Sequence, residues 1–343
     1  MMKQALERWL LNVWYGDGWL GKYLLLPLTG VFCLLSALNR QLQRRKQVKH
    51  AVPVIVVGNI SVGGTGKTPL VIWLVEHLRA MGFKPGVVSR GYGVTLDKGG
   101  WRDVSANASA SEVGDEPLLI VQRTNVSLVI GKDRNQAISR LLDQYACNII
   151  VADDGLQHYR MGRDLEICVV DGQRRFGNGL CLPAGPLRES LSRLSACDVV
   201  AINGENMHMR GDTLVNLATG ERKPLQTLTG QSVRVVTGIG NPQRFIHTLE
   251  QAGLQVEPCI YPDHHAFSGK ELHFGDTRPI LMTEKDAVKC RPFANRHCWY
   301  LPVEAALDAE LTQTLLTHLQ GFHHGQEIAG NSGLPRDQRA ADL

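Results

Sequence analysis

Residues 52–70, VPVIVVGNISVGGTGKTPL, constrain the fold more than any other stretch of the chain. An apolar β-branched run (Val52, Val54, Ile55, Val56, Val57) ends at Gly58, and a glycine-rich turn follows. Gly66-Lys67-Thr68 then opens an amphipathic segment through Leu70, Val71, Leu74, Val75 and Leu78. The order is strand, phosphate loop, helix. Backbone N–H groups that turn inward around phosphate oxygens need residues without a Cβ at several positions, and the helix start adds its positive dipole end. Ser61, Val62, Gly63, Gly64, Thr65, Gly66, Lys67 and Thr68 are therefore the candidate nucleotide cradle. Lys67 is expected to reach the β/γ-phosphates and Thr68 to offer its hydroxyl to Mg²⁺. Ser61 stands where the strict G-x4-G-K-[ST] pattern has its first glycine. A plain glycine-rich turn with a chance lysine is the competing reading.

The 343 residues, 43% hydrophobic and 20% charged, have ordinary globular composition and length enough for two domains. A net charge of +4 with no basic run interleaved with aromatics argues against nucleic acid. Eight cysteines without a C-x-x-C pair argue against zinc and against a disulfide framework, and fit a reducing compartment.

Residues 1–50 differ from the remainder. The uncharged stretch 23–38, YLLLPLTGVFCLLSAL, is preceded by Trp9, Trp14, Tyr15 and Trp19 and followed by Arg40, Arg44, Arg45, Lys46 and Lys49. As a helix it would be roughly 24 Å long, short of a ~30 Å hydrocarbon core, and Pro27 is expected to interrupt it. Aromatics at one end and cations at the other fit a helix docked in the headgroup layer of an anionic leaflet. A core helix and a true span are the alternatives. A signal peptide is disfavoured because its cations would sit on the wrong flank.

From Val52 the chain alternates strand and helix, as in a doubly wound, mostly parallel sheet. Strands are expected at 52–58, 85–89, 127–131, 148–153, 165–171 and 198–203, and helices at 68–81, 115–123, 134–145 and 190–196. The expected organisation is a membrane-associated helical region (1–50), an α/β P-loop core (51–204), a connecting segment (205–231), a smaller α/β domain (232–322) and a disordered tail (323–343).

Ligands collect at the carboxyl ends of such strands. Ser89-Arg90-Gly91-Tyr92-Gly93 follows the second strand, and Lys132, Asp133 and Arg134 follow the third. Gly114-Asp115-Glu116-Pro117 has an acidic pair that would equally suit a helix cap. An apolar strand ending in Asp153-Asp154 has the form of a carboxylate that holds Mg²⁺, with Asp171 after the next strand as a competitor. The loop 172–189 carries Arg174, Arg175 and Arg188 and suits either an anionic headgroup or plain solvation. Asp263-His264-His265 reads as a metal pair, a general base or a polar turn.

Taken in order, these segments resemble the tetraacyldisaccharide 4′-kinases of lipid A biosynthesis. The matching runs are 58–69 (GNISVGGTGKTP), 89–93 (SRGYG), 114–117 (GDEP), 153–158 (DDGLQH), 182–189 (LPAGPLRE), 238–242 (GIGNP) and 263–267 (DHHAF). They are collinear and reach from the N-terminal helix to about residue 320, and Ser61 looks like the family's own form of the loop. The resemblance implies transfer of the ATP γ-phosphate to the 4′-hydroxyl of a lipid-linked glucosamine disaccharide 1-phosphate, with Mg²⁺, at the cytoplasmic face of the inner membrane. It implies Asp115 as base, partnered by His264 from the second domain, with Lys67 in the catalytic set. Thr68, Asp153 and Asp154 are then the metal candidates, and Arg90, Tyr92, Glu116, Gln157, His158 and Arg188 the acceptor contacts. No obligate protein partner is evident. A membrane-recruited switch ATPase of the MinD/ParA type is the alternative. That type needs an extra lysine early in the loop, where this chain has Ser61 and Val62, and normally has its membrane helix at the C-terminus.

Overall fold

The computed structural model describes residues 2–16, 18–91, 94, 96 and 99–331. Two helices come first, α1 (Met2–Tyr15) and α2 (Trp19–Arg45). The chain then lays down β1 (Val54–Gly58), β2 (Pro85–Ser89), β3 (Trp101–Asp103), β4 (Ser127–Gly131), β5 (Ile149–Asp153), β6 (Leu165–Asp171), β7 (Val199–Asn203) and β8 (Met207–Arg210). Between them lie α3 (Lys67–Ala80), α4 (Ala110–Val113), α5 (Asp115–Thr124) and α6 (Arg134–Gln144). A second set follows: β9 (Thr213–Asn216), β10 (Arg222–Pro224), β11 (Ser232–Thr237), α7 (Pro242–Gln251), β12 (Gln255–Ile260), β13 (Ile280–Thr283), α8 (Glu284–Cys290) and β14 (Cys298–Leu301). The chain ends through β15 (Glu304–Leu307) and α9 (Ala309–Asn331).

The larger sheet has the order β15-β8-β7-β6-β1-β5-β2-β4-β3, parallel from β8 to β4 with antiparallel edges. The smaller is β10-β9-β14-β13-β11-β12. Buried strands such as β1, β5 and β6 are continuous apolar runs because helices cover both faces of a parallel sheet. Pairing of Val57 with Asp153 and of Val56 with Ala152 brings the end of β5 beside the mouth of the phosphate loop.

Five expectations need correction. Pro27 does not interrupt the N-terminal helix: α2 runs unbroken for 27 residues, roughly 40 Å. Residues 190–196 form a 3-10 helix, Leu191–Ala196, and no α-helix. Segment 205–231 is more than a connection, since β8 joins the large sheet and β9 and β10 join the small one. The chain also does not remain in the small unit to residue 322. β15 pairs with β8 in the large sheet, and Leu311, Leu315 and Leu319 of α9, which packs on β7, are buried in the core shared with α3 and β1. Helix α9 extends to Asn331, inside the stretch expected to be disordered, and residues 332–343 lie outside the described residues.

Helix α2 is anchored but not covered. Thr29 Oγ1 donates to the Cys181 carbonyl at 3.3 Å and accepts the Ala184 N–H at 3.0 Å, while Trp14 Nε1 of α1 donates to the Pro183 carbonyl at 2.9 Å. Leu20, Tyr23, Leu24, Leu28, Val31, Leu34, Leu35, Leu38 and Leu42 remain exposed. By length and composition α2 is the one helix among the described residues long and apolar enough to cross a membrane.

Candidate active site

The phosphate loop leaves β1 at Gly58, where a Cβ would lie 2.7 Å from the Leu156 side chain. Gly66 caps α3 with φ +98°, and a Cβ there would meet Asn203 Nδ2 at 2.8 Å. Asn203 Nδ2 donates to the Thr65 carbonyl at 3.2 Å, so the end of β7 closes one side of the loop. The other side is closed by the 182–189 run: the Val62 N–H donates to the Pro186 carbonyl at 2.9 Å and the Arg188 N–H to the Ile60 carbonyl at 2.7 Å. Ser61 faces Leu187 in an isolated antiparallel bridge, which gives the departing residue a packed strand-like place. Thr68 sits in the first turn of α3.

Lys67 Nζ lies 3.4 Å from Asp154 Oδ1, and Arg188 Nη1 lies 3.2 Å from Asp154 Oδ2. Burial opposes ionisation of Asp154, but Lys67 and Arg188 outweigh it and hold the carboxyl below the ordinary carboxylate range. Asp154 has φ +49°, a left-handed conformation that a non-glycine residue adopts at some cost, and here it turns the carboxylate onto both cations. Asp153 behaves oppositely. It is 1% exposed, Ser89 Oγ donates to Oδ2 at 3.0 Å, and Oδ1 has no hydrogen-bond partner. Burial first, then the fields of Glu116 and Asp154, push its pKa up to about 7. A buried carboxylate with an orphaned oxygen beside other carboxylates has the donor chemistry of a hard divalent cation's ligand. Asp153 thus fits Mg²⁺, whereas Asp154 is engaged by two cations. Asp171 is engaged too. Arg244 Nη2 lies 3.0 Å from its Oδ1, Asn241 Nδ2 donates to Oδ2 at 3.3 Å, and both partners come from the small unit, so this carboxylate docks α7.

The acidic pair and the histidine pair meet across the junction of the sheets. His264 Nδ1 stands 3.3 Å from Asp115 Oδ2, with Lys285 Nζ at 3.7 Å and Lys289 Nζ at 3.9 Å from the same oxygen. Asp115 and Glu116 begin α5, as the capping reading allowed, yet Lys285 Nζ is also 3.0 Å from Glu116 Oε1. Burial alone would raise the Asp115 pKa, but the His264 hydrogen bond and the two lysines outweigh it and hold the group ionised. His264 is shifted upward by its hydrogen bond to Asp115. The metal-pair reading of 263–265 fails, because His265 turns to Glu271 at 3.1 Å and stacks on Tyr261.

The expected acceptor contacts divide. Gln157 Nε2 donates to the Asn59 carbonyl at 3.0 Å and braces the loop. His158 lies beside Arg134, and burial, then the fields of Arg134 and Arg90, push its pKa down to about 4. Arg90 is exposed, and Tyr92 lies outside the described residues. Sequence reasoning gave Ser89 no role of its own and passed over Asn203 and the two lysines, Lys285 and Lys289.

A family model described as tetraacyldisaccharide-1-P 4′-kinase matches residues 21–320. The tetraacyldisaccharide 4′-kinase of Methylobacillus flagellatus is 48% identical over 93% of this chain and 98% of its own length. That of Pseudomonas aeruginosa is 46% identical over 86% of this chain and 92% of its own. The crystal structure of LpxK from Aquifex aeolicus in complex with ATP superposes with a TM-score of 0.72 at 27% identity, covering 87% of this chain and 98% of that one.

Proposed function

The chain belongs to the tetraacyldisaccharide-1-P 4′-kinase family, and from that premise we propose that it moves the ATP γ-phosphate onto the 4′-hydroxyl of a tetraacyl disaccharide 1-phosphate. The single observation that carries the reading is the Asp115–His264 contact at the junction of the two sheets. The reading is supported by the field of Glu116, next in sequence to Asp115, which acts on Asp153 together with that of Lys67.

Phosphoryl transfer asks a protein for positioning and charge neutralisation more than for covalent chemistry. The loop from Ser61 to Thr68 holds the triphosphate by backbone N–H groups. Lys67 neutralises charge that builds on the transferred group, and Arg188, which shares Asp154 with it, faces the same space. Asp153 and Thr68 would hold Mg²⁺, which when bound supplies charge to the triphosphate oxygens. Asp115 accepts the proton of the sugar hydroxyl. His264 fixes the orientation of that carboxylate and shares the positive charge around it, while Lys285 ties Glu116 to the same group. Asp115 and His264 belong to different units, so approach of the small unit would complete the base with its partner beside the nucleotide and exclude water. The exposed apolar face of α2, with Arg40, Arg44 and Arg45 at its end, supports residence at the cytoplasmic face of the inner membrane, where the acceptor's acyl chains lie.

The deciding experiment is transfer of labelled phosphate from γ-labelled ATP to a tetraacyl disaccharide 1-phosphate in mixed micelles. Label in the lipid fraction at the 4′ position is expected. ATP hydrolysis with no labelled lipid would favour a switch ATPase and overturn the reading.

A further inference from the structure

The turn after β6 lies beside the phosphate loop, because β6 pairs with β1 as far as Cys168 and Gly58, where the loop departs. Asp171 fixes the backbone of that turn: its Oδ1 accepts the N–H groups of Gln173 at 2.9 Å and Arg174 at 3.1 Å. The Arg174 side chain reaches back to the loop. A Cβ built on Gly63 would lie 3.8 Å from Arg174 Nη1, and a Cβ on Gly64 would stand in open space among the described residues. We propose that Arg174 is an arginine finger supplied by the chain itself, donating to the oxygens of the transferred phosphoryl group as charge builds on them. The proposal rests on the kinase reading above and adds a catalytic residue to it.

Residues 61–66 carry no charge, so Lys67 is the only cation the loop itself provides. Lys67 and Arg188 both face Asp154, and that carboxylate cancels part of what they offer a triphosphate. Arg174 differs from both. Its Nη1 donates to the Gly240 carbonyl at 2.9 Å, and its guanidinium lies 5.4 Å from the centre of the Tyr15 ring. Both partners are uncharged, so they orient the planar fork without cancelling its charge. The carboxylate closest along the chain is engaged elsewhere: Asp171 accepts from the two backbone N–H groups, from Asn241 and from Arg244.

The contact with Gly240 joins the finger to the small unit. Gly240 belongs to the turn before α7, and a Cβ on it would crowd Asp263 Oδ2 at 3.1 Å and the Gly64 nitrogen at 3.4 Å, so the bare backbone lets this turn lie against the phosphate loop. Two residues earlier, the Gly238 carbonyl accepts the His264 N–H at 3.2 Å. One turn of the small unit thus orients Arg174 at the loop and carries the partner of Asp115, and a single approach assembles finger and base together. In the transfer step the γ-phosphorus gives up its bond to the β–γ bridging oxygen and gains one to the sugar oxygen. ADP leaves with the electron pair, Asp115 keeps the hydroxyl proton, and Arg174 contributes hydrogen bonds and charge only.

Arg174→Ala and Arg174→Gln are compared with the wild type in three measurements: labelled phosphate transfer to the lipid in mixed micelles, ATP titration without acceptor, and retention of Mg²⁺-ADP with aluminium fluoride, a mimic of the phosphoryl group in flight. Glutamine keeps an N–H donor for the Gly240 carbonyl and drops the charge, which separates a finger from a clamp. Both variants should lower kcat by about 10³-fold or more, the contribution of such an arginine, while Kd for ATP stays within about fivefold of the wild type. The wild type should retain the aluminium fluoride complex and both variants should lose it. Added guanidinium ion should recover part of the turnover of Arg174→Ala. A near-normal kcat in Arg174→Gln overturns the proposal, and with loss in Arg174→Ala alone it leaves the residue a clamp on Gly240. A Kd for ATP that rises as far as kcat falls overturns it too, as does wild-type retention of the aluminium fluoride complex by both variants. If the wild type labels no lipid, the kinase reading falls and the finger with it; if the wild type labels lipid and the variants keep pace, only the finger is lost.

Discussion

His264 Nδ1 approaches Asp115 Oδ2 to 3.3 Å although the two residues belong to different sheets' helices and loops, and His264 holds a left-handed φ of +58° to do so. Strain at a non-glycine residue persists where the surroundings over-determine it, and here Asp115 together with the Gly238 carbonyl, which accepts the His264 N–H at 3.2 Å, supplies the constraint.

If Asp115 takes the hydroxyl proton, Asp115→Asn should lower kcat by about 10²–10⁴, the usual contribution of a positioned base. ATP affinity should stay near that of the wild type. His264→Ala should cost less, because it removes the orienting partner and leaves the base. Turnover and nucleotide titration measured side by side check both, and normal kcat in Asp115→Asn would remove this carboxylate from the reaction.

The same contact fixes a pH dependence. The Asp115 hydrogen bond, opposed by burial and by Lys285, raises the His264 pKa above its ordinary 6.5. A histidine raised in the folded state contributes stability that is fully present below the unfolded pKa and is lost as pH climbs through the folded one. The Tm difference between wild type and His264→Ala should therefore be greatest near pH 6 and shrink as the solution becomes alkaline. A difference that stays flat from pH 6 to 9 would mean the imidazolium is not paired in solution.

Much of the large sheet can be read directly from the chain, because buried parallel strands such as 149–153 are apolar runs closed by a polar residue. The phosphate loop and the Asp153-Asp154 strand end follow from the same pattern. The short strands at the sheet margins are not legible: β8, β10 and β15 have three or four residues each, too few for a period to register. Pro27 misleads for a physical reason. A proline removes one helical N–H and crowds one carbonyl, and a helix supported at Trp14 and Thr29 by the 178–186 loop tolerates that loss. Lys285 and Lys289 were invisible as neighbours of Asp115 because about 170 residues of chain separate them and no local spacing encodes the contact.

Asp153 shares the histidine's pH slope but gives the opposite response to substitution. An unfolded aspartate loses its proton near 3.8, while in the fold burial and the fields of Glu116 and Asp154 hold the proton to about 7. The native state therefore binds the extra proton between those values, stability falls as pH rises through that window, and the full cost is present above it. Asp153→Asn should thus raise Tm by a few degrees at pH 8 without Mg²⁺ and abolish transfer. Saturating Mg²⁺ should raise the Tm of the wild type at pH 8 and leave the variant unmoved. Equal Mg²⁺ stabilisation of both would take the metal away from this carboxylate.

The apolar face of α2 can be tested without dismantling the active site, which deleting the helix would do. Trp14 and Thr29 hold the backbone of residues 181–184, and the adjoining Pro186–Arg188 segment pairs with the phosphate loop, so truncation confounds membrane contact with loop geometry. Leu24, Leu28 and Leu35 are 74%, 58% and 59% exposed and touch no part of that support. Burying a leucine in hydrocarbon stabilises by about 1.5–3 kcal/mol, so replacing all three with Asn should weaken vesicle binding by more than roughly a hundredfold. In mixed micelles saturated with acceptor, kcat of the triple variant should remain close to that of the wild type, since Lys67, Asp153, Asp115 and His264 are untouched. Co-sedimentation with anionic vesicles reads the first effect and micellar turnover the second. Undiminished vesicle binding would show that α2 does not enter the bilayer by this face. Loss of micellar kcat with the fold intact would make the same leucines part of the acceptor's own seat, because acyl chains then meet them before any membrane does.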